Sequence, residues 1–143
     1  MRRVSIAIAV CFVLALAISV VGQARDLDAI MKEIGGIWGT QQAPGMGAAL
    51  TGATPDYAKI SADAAKLQSL FTEAAGQFSK LKIAEAEGIA KSASEAAGAL
   101  AKEAKTGKIG DAKASKTAIG QCGACHQKFR ESDGAGGFKL KAQ

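Results

Sequence analysis

From residue 4 to residue 21 the chain carries no charge and is almost continuously apolar. Beyond residue 25 apolar residues instead recur at steps of three and four. That spacing places side chains on one face of a helix, because about 3.6 residues complete a turn. Leu27, Ile30, Met31, Ile34 and Trp38 form the first such stripe, Asp26 is suited to cap it, and the predicted helix covers 27–38. A glycine-rich stretch over 39–55, with Pro44-Gly45 and Gly47, follows without any strand-like alternation, and a connection this long is unusual in a small domain. Thr54-Pro55-Asp56 opens a second helix with Pro55 in its first turn, and Ile60, Ala64, Leu67, Phe71, Ala74 and Phe78 make its buried stripe. A break is expected near 79–82. The third stripe, Ile89, Ala93, Ala96, Leu100 and Ala104, closes at Lys105-Thr106-Gly107, with glycine as the stop. A fourth helix begins at Asp111 and runs through Ile119, Cys122, Cys125, His126 and Phe129, while 134–143 read as a frayed, flexible tail. Four amphipathic helices without a strand pattern predict an all-α fold, an antiparallel four-helix bundle over 25–133.

The uncharged opening run changes the picture of where the chain works. Met1-Arg2-Arg3 supplies a positive start, 4–21 the apolar centre, and Gly22-Gln23-Ala24 the small residues of a cleavage site. Residues 1–24 therefore read as a signal peptide cut after Ala24, and the expected location is the periplasm. The competing reading is an uncleaved anchor, since the run reaches the lower limit for spanning a bilayer; only then is the chain membrane-bound. Arg2-Arg3 lacks the surroundings of a twin-arginine signal. Cys11 has no lipoprotein-like context and is read as leader packing.

Removing Arg2 and Arg3 takes the formal charge of +5 down by two. The lysines are spread along the chain, and no basic run interleaves with aromatics, so nucleic acid is not an expected partner. Alanine is abundant and large apolar residues are few. Alanine faces approach closely but bury little area, and at about 25 cal/mol per Å² the protein's own core is thin. An apolar cofactor packed among the helices would supply the missing bulk.

The candidate chemistry sits in Cys122-Gly123-Ala124-Cys125-His126. Cys-x-x-Cys-His is the attachment signature of c-type haem. At i, i+3 and i+4 on a helix the three side chains face the same way. Two thiols can then bond the two vinyl groups while the imidazole reaches the iron. Two plainer readings compete. A redox dithiol usually opens a helix after a strand, and no strand pattern is present. Zinc would have two cysteines and one histidine, with no fourth residue to close a structural site. His126 is the single histidine, so a second axial ligand within the chain has to be something else. Methionine is the usual alternative. Met31, on a helix, is more rigidly placed than Met46 in the glycine-rich loop, although buried methionine is often simply core packing.

The motif near the C-terminus of an exported four-helix chain resembles the class II cytochromes c, the cytochrome c-prime and c-556 group. Ile119-Gly120-Gln121-Cys122-Gly123-Ala124-Cys125-His126-Gln127-Lys128-Phe129-Arg130 is similar to that family's last helix, and Ala29-Ile30-Met31-Lys32-Glu33-Ile34-Gly35 to its first. The resemblance implies one haem c, covalent through Cys122 and Cys125, with His126 as an iron ligand. It puts Met31 where one branch has a ligating methionine and transfers electrons. The other branch has a residue there that caps an open face binding nitric oxide or carbon monoxide. The Met-Lys-x-x-Gly context looks more like the ligated branch. Arg130 matches a family arginine near the proximal haem face; a solvated surface cation is its plain alternative. Leu27 stands where the family often has an arginine, and the segment between the second and third helices is shorter than usual. That difference bears on the family's dimer interface; a homodimer is open to this chain.

These observations lead to an expected periplasmic electron carrier that exchanges single electrons with periplasmic or membrane-bound redox partners, with His126 and Met31 as metal ligands. The alternatives are a gas-binding protein with an open site beneath Met31, and a haem-stabilised bundle that meets a membrane partner through its anchor. No general acid, base or nucleophile argues for an enzyme.

Overall fold

The computed structural model describes residues 25–39, 44–50, 52–109, 122–134 and 138–141. The leader over 1–24 and the start of the fourth helix at Asp111, with Ile119, lie outside the described residues. The elements are α1 (Leu27–Trp38), α2 (Met46–Ala49), α3 (Tyr57–Lys80), α4 (Ala84–Lys105), α5 (Cys122–Phe129), β1 (Arg130–Ser132) and β2 (Phe138–Leu140). Among the described residues no helix is long and apolar enough to cross a membrane.

Local chemistry explains most of the helix ends. α1 has the predicted bounds: the Asp26 carboxylate accepts from the Asp28 N–H at 3.3 Å, and Gly39 stops the helix at φ 96. α3 is opened by Asp56 rather than by Pro55, because the Asp56 carboxylate takes the Lys59 N–H at 2.9 Å and Pro55 stays outside. The break expected at 79–82 is a tight turn in which Lys82 adopts the left-handed conformation (φ 59) and the Ile83 N–H returns to Phe78 O at 3.0 Å. α4 ends where Gly107 turns left-handed (φ 68) and donates to Ala104 O at 3.0 Å.

α3 and α4 pack antiparallel along their length and hold most of the core. Ile60, Ala64, Leu67, Leu70, Phe71, Ala74, Ala75 and Phe78 are buried on α3, and Ala86, Ala90, Ala93, Ala97, Leu100, Ala101 and Ala104 on α4. The expected α4 stripe is partly corrected: Ile89 and Ala96 are only half-buried, since alanines all around the helix leave the buried face poorly defined by sequence. Two serines tie the pair. Ser61 Oγ donates to Ala101 O at 2.9 Å, and Ser94 Oγ donates to Gln68 O at 3.0 Å beside the Thr72 hydroxyl at 2.8 Å.

α1 lies on α3 through Ile30 and Ile34, and Glu33 is shared between Lys66 (2.7 Å) and Arg25. The glycine-rich 39–55 stretch, read from sequence as a long loop, contains the short helix α2 and a bridge between Gly39 and Pro44. A Cβ on Gly45 would meet Ile37 O at 2.5 Å, so the loop returns over the end of α1 only because that position is glycine. The tail is also corrected. β2 pairs antiparallel with β1, with Arg130 opposite Leu140, Glu131 opposite Lys139 and Ser132 opposite Phe138. The described residues are thus mostly helical, with one two-stranded β pair.

Candidate functional site

α1, α3, α4 and α5 together line one cleft of about 270 Å³. α1 contributes Met31, Ile34, Gly35 and Trp38; α3 contributes Phe71 and Phe78; α4 contributes Ala86, Ile89, Ala90 and Ala93; α5 contributes Cys122, Cys125 and His126. The i, i+3, i+4 spacing on α5 puts both thiols and the imidazole on that one face. The i, i+3, i+4, i+7 spacing of Met31, Ile34, Gly35 and Trp38 does the same on α1.

The lining is apolar except at the sulfurs and the imidazole, and its electrostatics follow from that. Burial pushes the Cys122 thiol up, with Cys125 adding to it; burial likewise raises Cys125, with the Glu85 charge adding. A redox dithiol needs the opposite shift, toward thiolate. Burial holds His126 below its ordinary 6.5, and the nearby Arg130 cation pushes the same way. Arg130 Nη1 lies 3.2 Å from His126 Nδ1. Arginine only donates, so Nδ1 accepts and the neutral ring carries its proton on Nε2. Among the described residues no three His, Cys, Asp or Glu side chains converge to hold a metal ion, so the zinc reading lacks a donor cluster there.

Gly35 tests what kind of group suits the cleft. It lies one turn beyond Met31 inside a helix, where glycine costs about 1 kcal/mol relative to alanine. A Cβ there would meet nothing within 4 Å, so packing within the described chain does not require glycine. A flat group lying close to the α1 backbone would. Two thiols and an imidazole on one wall, a thioether on another and a glycine cradle fit an apolar, planar prosthetic group bound through sulfur and nitrogen.

Cys122, Cys125, His126 and Met31 share one cleft. Arg130 is not part of the lining and reaches His126 from the end of α5. Met46 is fully buried and lies outside the lining, as does the half-buried Leu27. Sequence reasoning missed Gly35, Phe71, Phe78 and Ile89 as cleft residues. For Gly35 the signal was its place four residues after Met31. Trp38 was assigned only to a helical stripe, yet it lines the cleft and carries the loop on its indole: a Cβ on Gly47 would lie 3.2 Å from Trp38 Cε2. Phe138, whose ring centre is 3.2 Å from the Arg130 guanidinium carbon, had no signal in a tail read as frayed. No protein-family model matches the chain, and neither a curated protein nor a solved structure matches it.

Proposed function

We propose that the protein is a periplasmic, monohaem c-type cytochrome that transfers single electrons. The observation that carries this reading is the opening of Cys122, Cys125 and His126 onto the same apolar cleft as Met31. In it, Cys122 and Cys125 would hold the haem through thioethers, and His126 and Met31 would supply the protein's nitrogen and sulfur ligands to the iron. When bound, the haem iron supplies one-electron chemistry between its ferrous and ferric states. The chain's own residues do the rest. Trp38, Phe71, Phe78 and Ile89 keep water from the site, and Gly35 gives the plane room against α1.

The resemblance to class II cytochromes c supports the finer architecture, an antiparallel four-helix bundle. Signal-peptide export, redox partners in the periplasm or its membrane, and a role as carrier rather than enzyme belong to the same reading. A second reading is a five-coordinate protein that binds nitric oxide or carbon monoxide. The packing of half-buried Met31 against the apolar core favours it, because a capping residue packs in that way.

Mass spectrometry and an electronic spectrum of the exported protein test both. The expected mass is that of a chain starting at Arg25 with one covalent haem. The expected ferric spectrum is low-spin with the signature of a sulfur ligand, and Met31→Leu turns it into a high-spin form that binds carbon monoxide. Absence of covalent haem sinks the proposal. A high-spin wild-type protein that takes up carbon monoxide replaces it with the second reading.

A further inference from the structure

We infer that the C-terminal β pair is a clamp for the cation beside His126, with Phe138 as a positioning residue acting through Arg130. The consequence for redox behaviour rests on the haem reading above; the clamp geometry does not.

Arg130 follows α5 directly and lies one helical turn beyond His126, which brings Nη1 to 3.2 Å from Nδ1. A long, flexible side chain at the end of a helix does not stay in one place for a single hydrogen bond. Here a second contact fixes it. The guanidinium carbon sits 3.2 Å from the centre of the Phe138 ring, an arrangement that suits the flat, delocalised cation of arginine. Phe138 is brought there by β2. Its register with β1 sets Phe138 opposite Ser132. Lys141 then fastens the strand to the motif helix, with its N–H donating to Phe129 O at 2.9 Å and its ammonium to Gln127 O at 2.5 Å. These two bonds also satisfy carbonyls that the end of α5 leaves without helical partners. Phe138 is 54% exposed, so burial in the core does not account for a phenylalanine at this position. Covering Arg130 does.

The stacking matters more once a metal takes Nε2. A neutral imidazole that gives Nε2 to a metal carries its proton on Nδ1 and no longer accepts there. Arg130 then loses its hydrogen bond to His126, and its contact with Phe138 keeps the cation in place. A positive charge held near the ligand disfavours the ferric state relative to the ferrous one and raises the reduction potential.

The test uses the full exported protein and the variants Phe138→Ala, Phe138→Tyr, Arg130→Gln and the double variant Arg130→Gln/Phe138→Ala. The first readout is NMR of the Arg130 Cδ protons under reducing conditions. Ring-current displacement is expected in wild type and in Phe138→Tyr, and is lost in Phe138→Ala. The second is the midpoint potential. Phe138→Ala and Arg130→Gln are expected to lower it, Phe138→Tyr to keep it, and Phe138→Ala to add nothing in the Arg130→Gln background. Undisplaced wild-type protons overturn the inference. So does a Phe138→Ala potential equal to wild type, or an equal drop in both backgrounds, which marks a merely structural effect. A chain with displaced Arg130 protons and no haem keeps the clamp and defeats the electron-carrier reading. A haem-bearing chain with undisplaced protons does the reverse.

Discussion

The α3–α4 pair and the walls of the cleft are made from similar residues in opposite ways. In the pair, alanines, Leu67, Leu70 and Leu100 meet side chain against side chain, and buried serines reach the facing backbone. At the cleft, α1 rests on α3 and α5 on α4, and Met31, Trp38, Phe71 and Ile89 turn apolar surface toward the space between. The pair has its packing partners within the chain. On the proposed reading, the walls would find theirs in the group that the two thiols would hold. The comparison assigns stability to one region and function to the other, and each assignment can be broken.

The largest effect is expected from Cys122→Ser/Cys125→Ser. Loss of covalent cofactor should lower hydrogen-exchange protection in α1 and α5 while α3 and α4 keep theirs, and equal protection in all four would remove the distinction. Leu67→Ala acts on the other region. Leu67 is fully buried, and its truncation should cost about 2–5 kcal/mol of global stability in denaturant unfolding, with the spectrum of the site unchanged. Gly35→Ala sharpens the contrast through its sign. In the cofactor-free Ser/Ser chain it should stabilise by about 1 kcal/mol, as alanine does in a helix interior. In the loaded protein the new Cβ enters the cleft, and thermal melting should show a loss instead.

The smallest effect concerns the tie between α1 and α3. Hydrogen bonds from Lys66 and then Arg25 hold the Glu33 carboxyl below its ordinary 4.5. Between that value and the lower folded one, the unfolded chain binds a proton that the folded chain does not. The contribution of Glu33 is therefore complete above 4.5 and disappears as pH falls through the folded value. Glu33 is partly open to solvent, so the step is modest and shrinks in salt. A pH series of melting temperatures on wild type and Glu33→Gln should converge at the acid end; parallel curves would show that Glu33 does not tie the helices.

Much of this was legible in the sequence where one residue type decides one local event. Asp26 and Gly39 bound α1, Gly107 ends α4, and Cys122, Cys125 and His126 share a face because helical spacing requires it. The large side chains of α3 marked most of its buried face, all six stripe residues being buried with Leu70 and Ala75 added, whereas the alanines of α4 carry too little contrast to do the same. The structures that stayed hidden depend on distant contacts. α2 is four residues long and forms where Gly45 and Gly47 let the loop settle on Ile37 and Trp38. β1 and β2 have three residues each, too few to show alternation, and they exist because Lys141 can reach the end of α5. Arg130 was singled out by the family resemblance; its partner Phe138 was not, since nothing local pairs them.

The two serine bonds between α3 and α4 also solve a problem of phasing. An interface built largely of alanine distinguishes poorly between one setting and the next, because a slip of one turn, about 5.4 Å, puts another alanine where the first had been. Ser61 against Ala101 and Ser94 against Gln68 act as two detents that such a slip would break together. α1 rides on α3 and α5 on α4, so these detents also set the height at which Met31 stands relative to His126. Two small hydroxyls outside the cleft thereby calibrate the span across it.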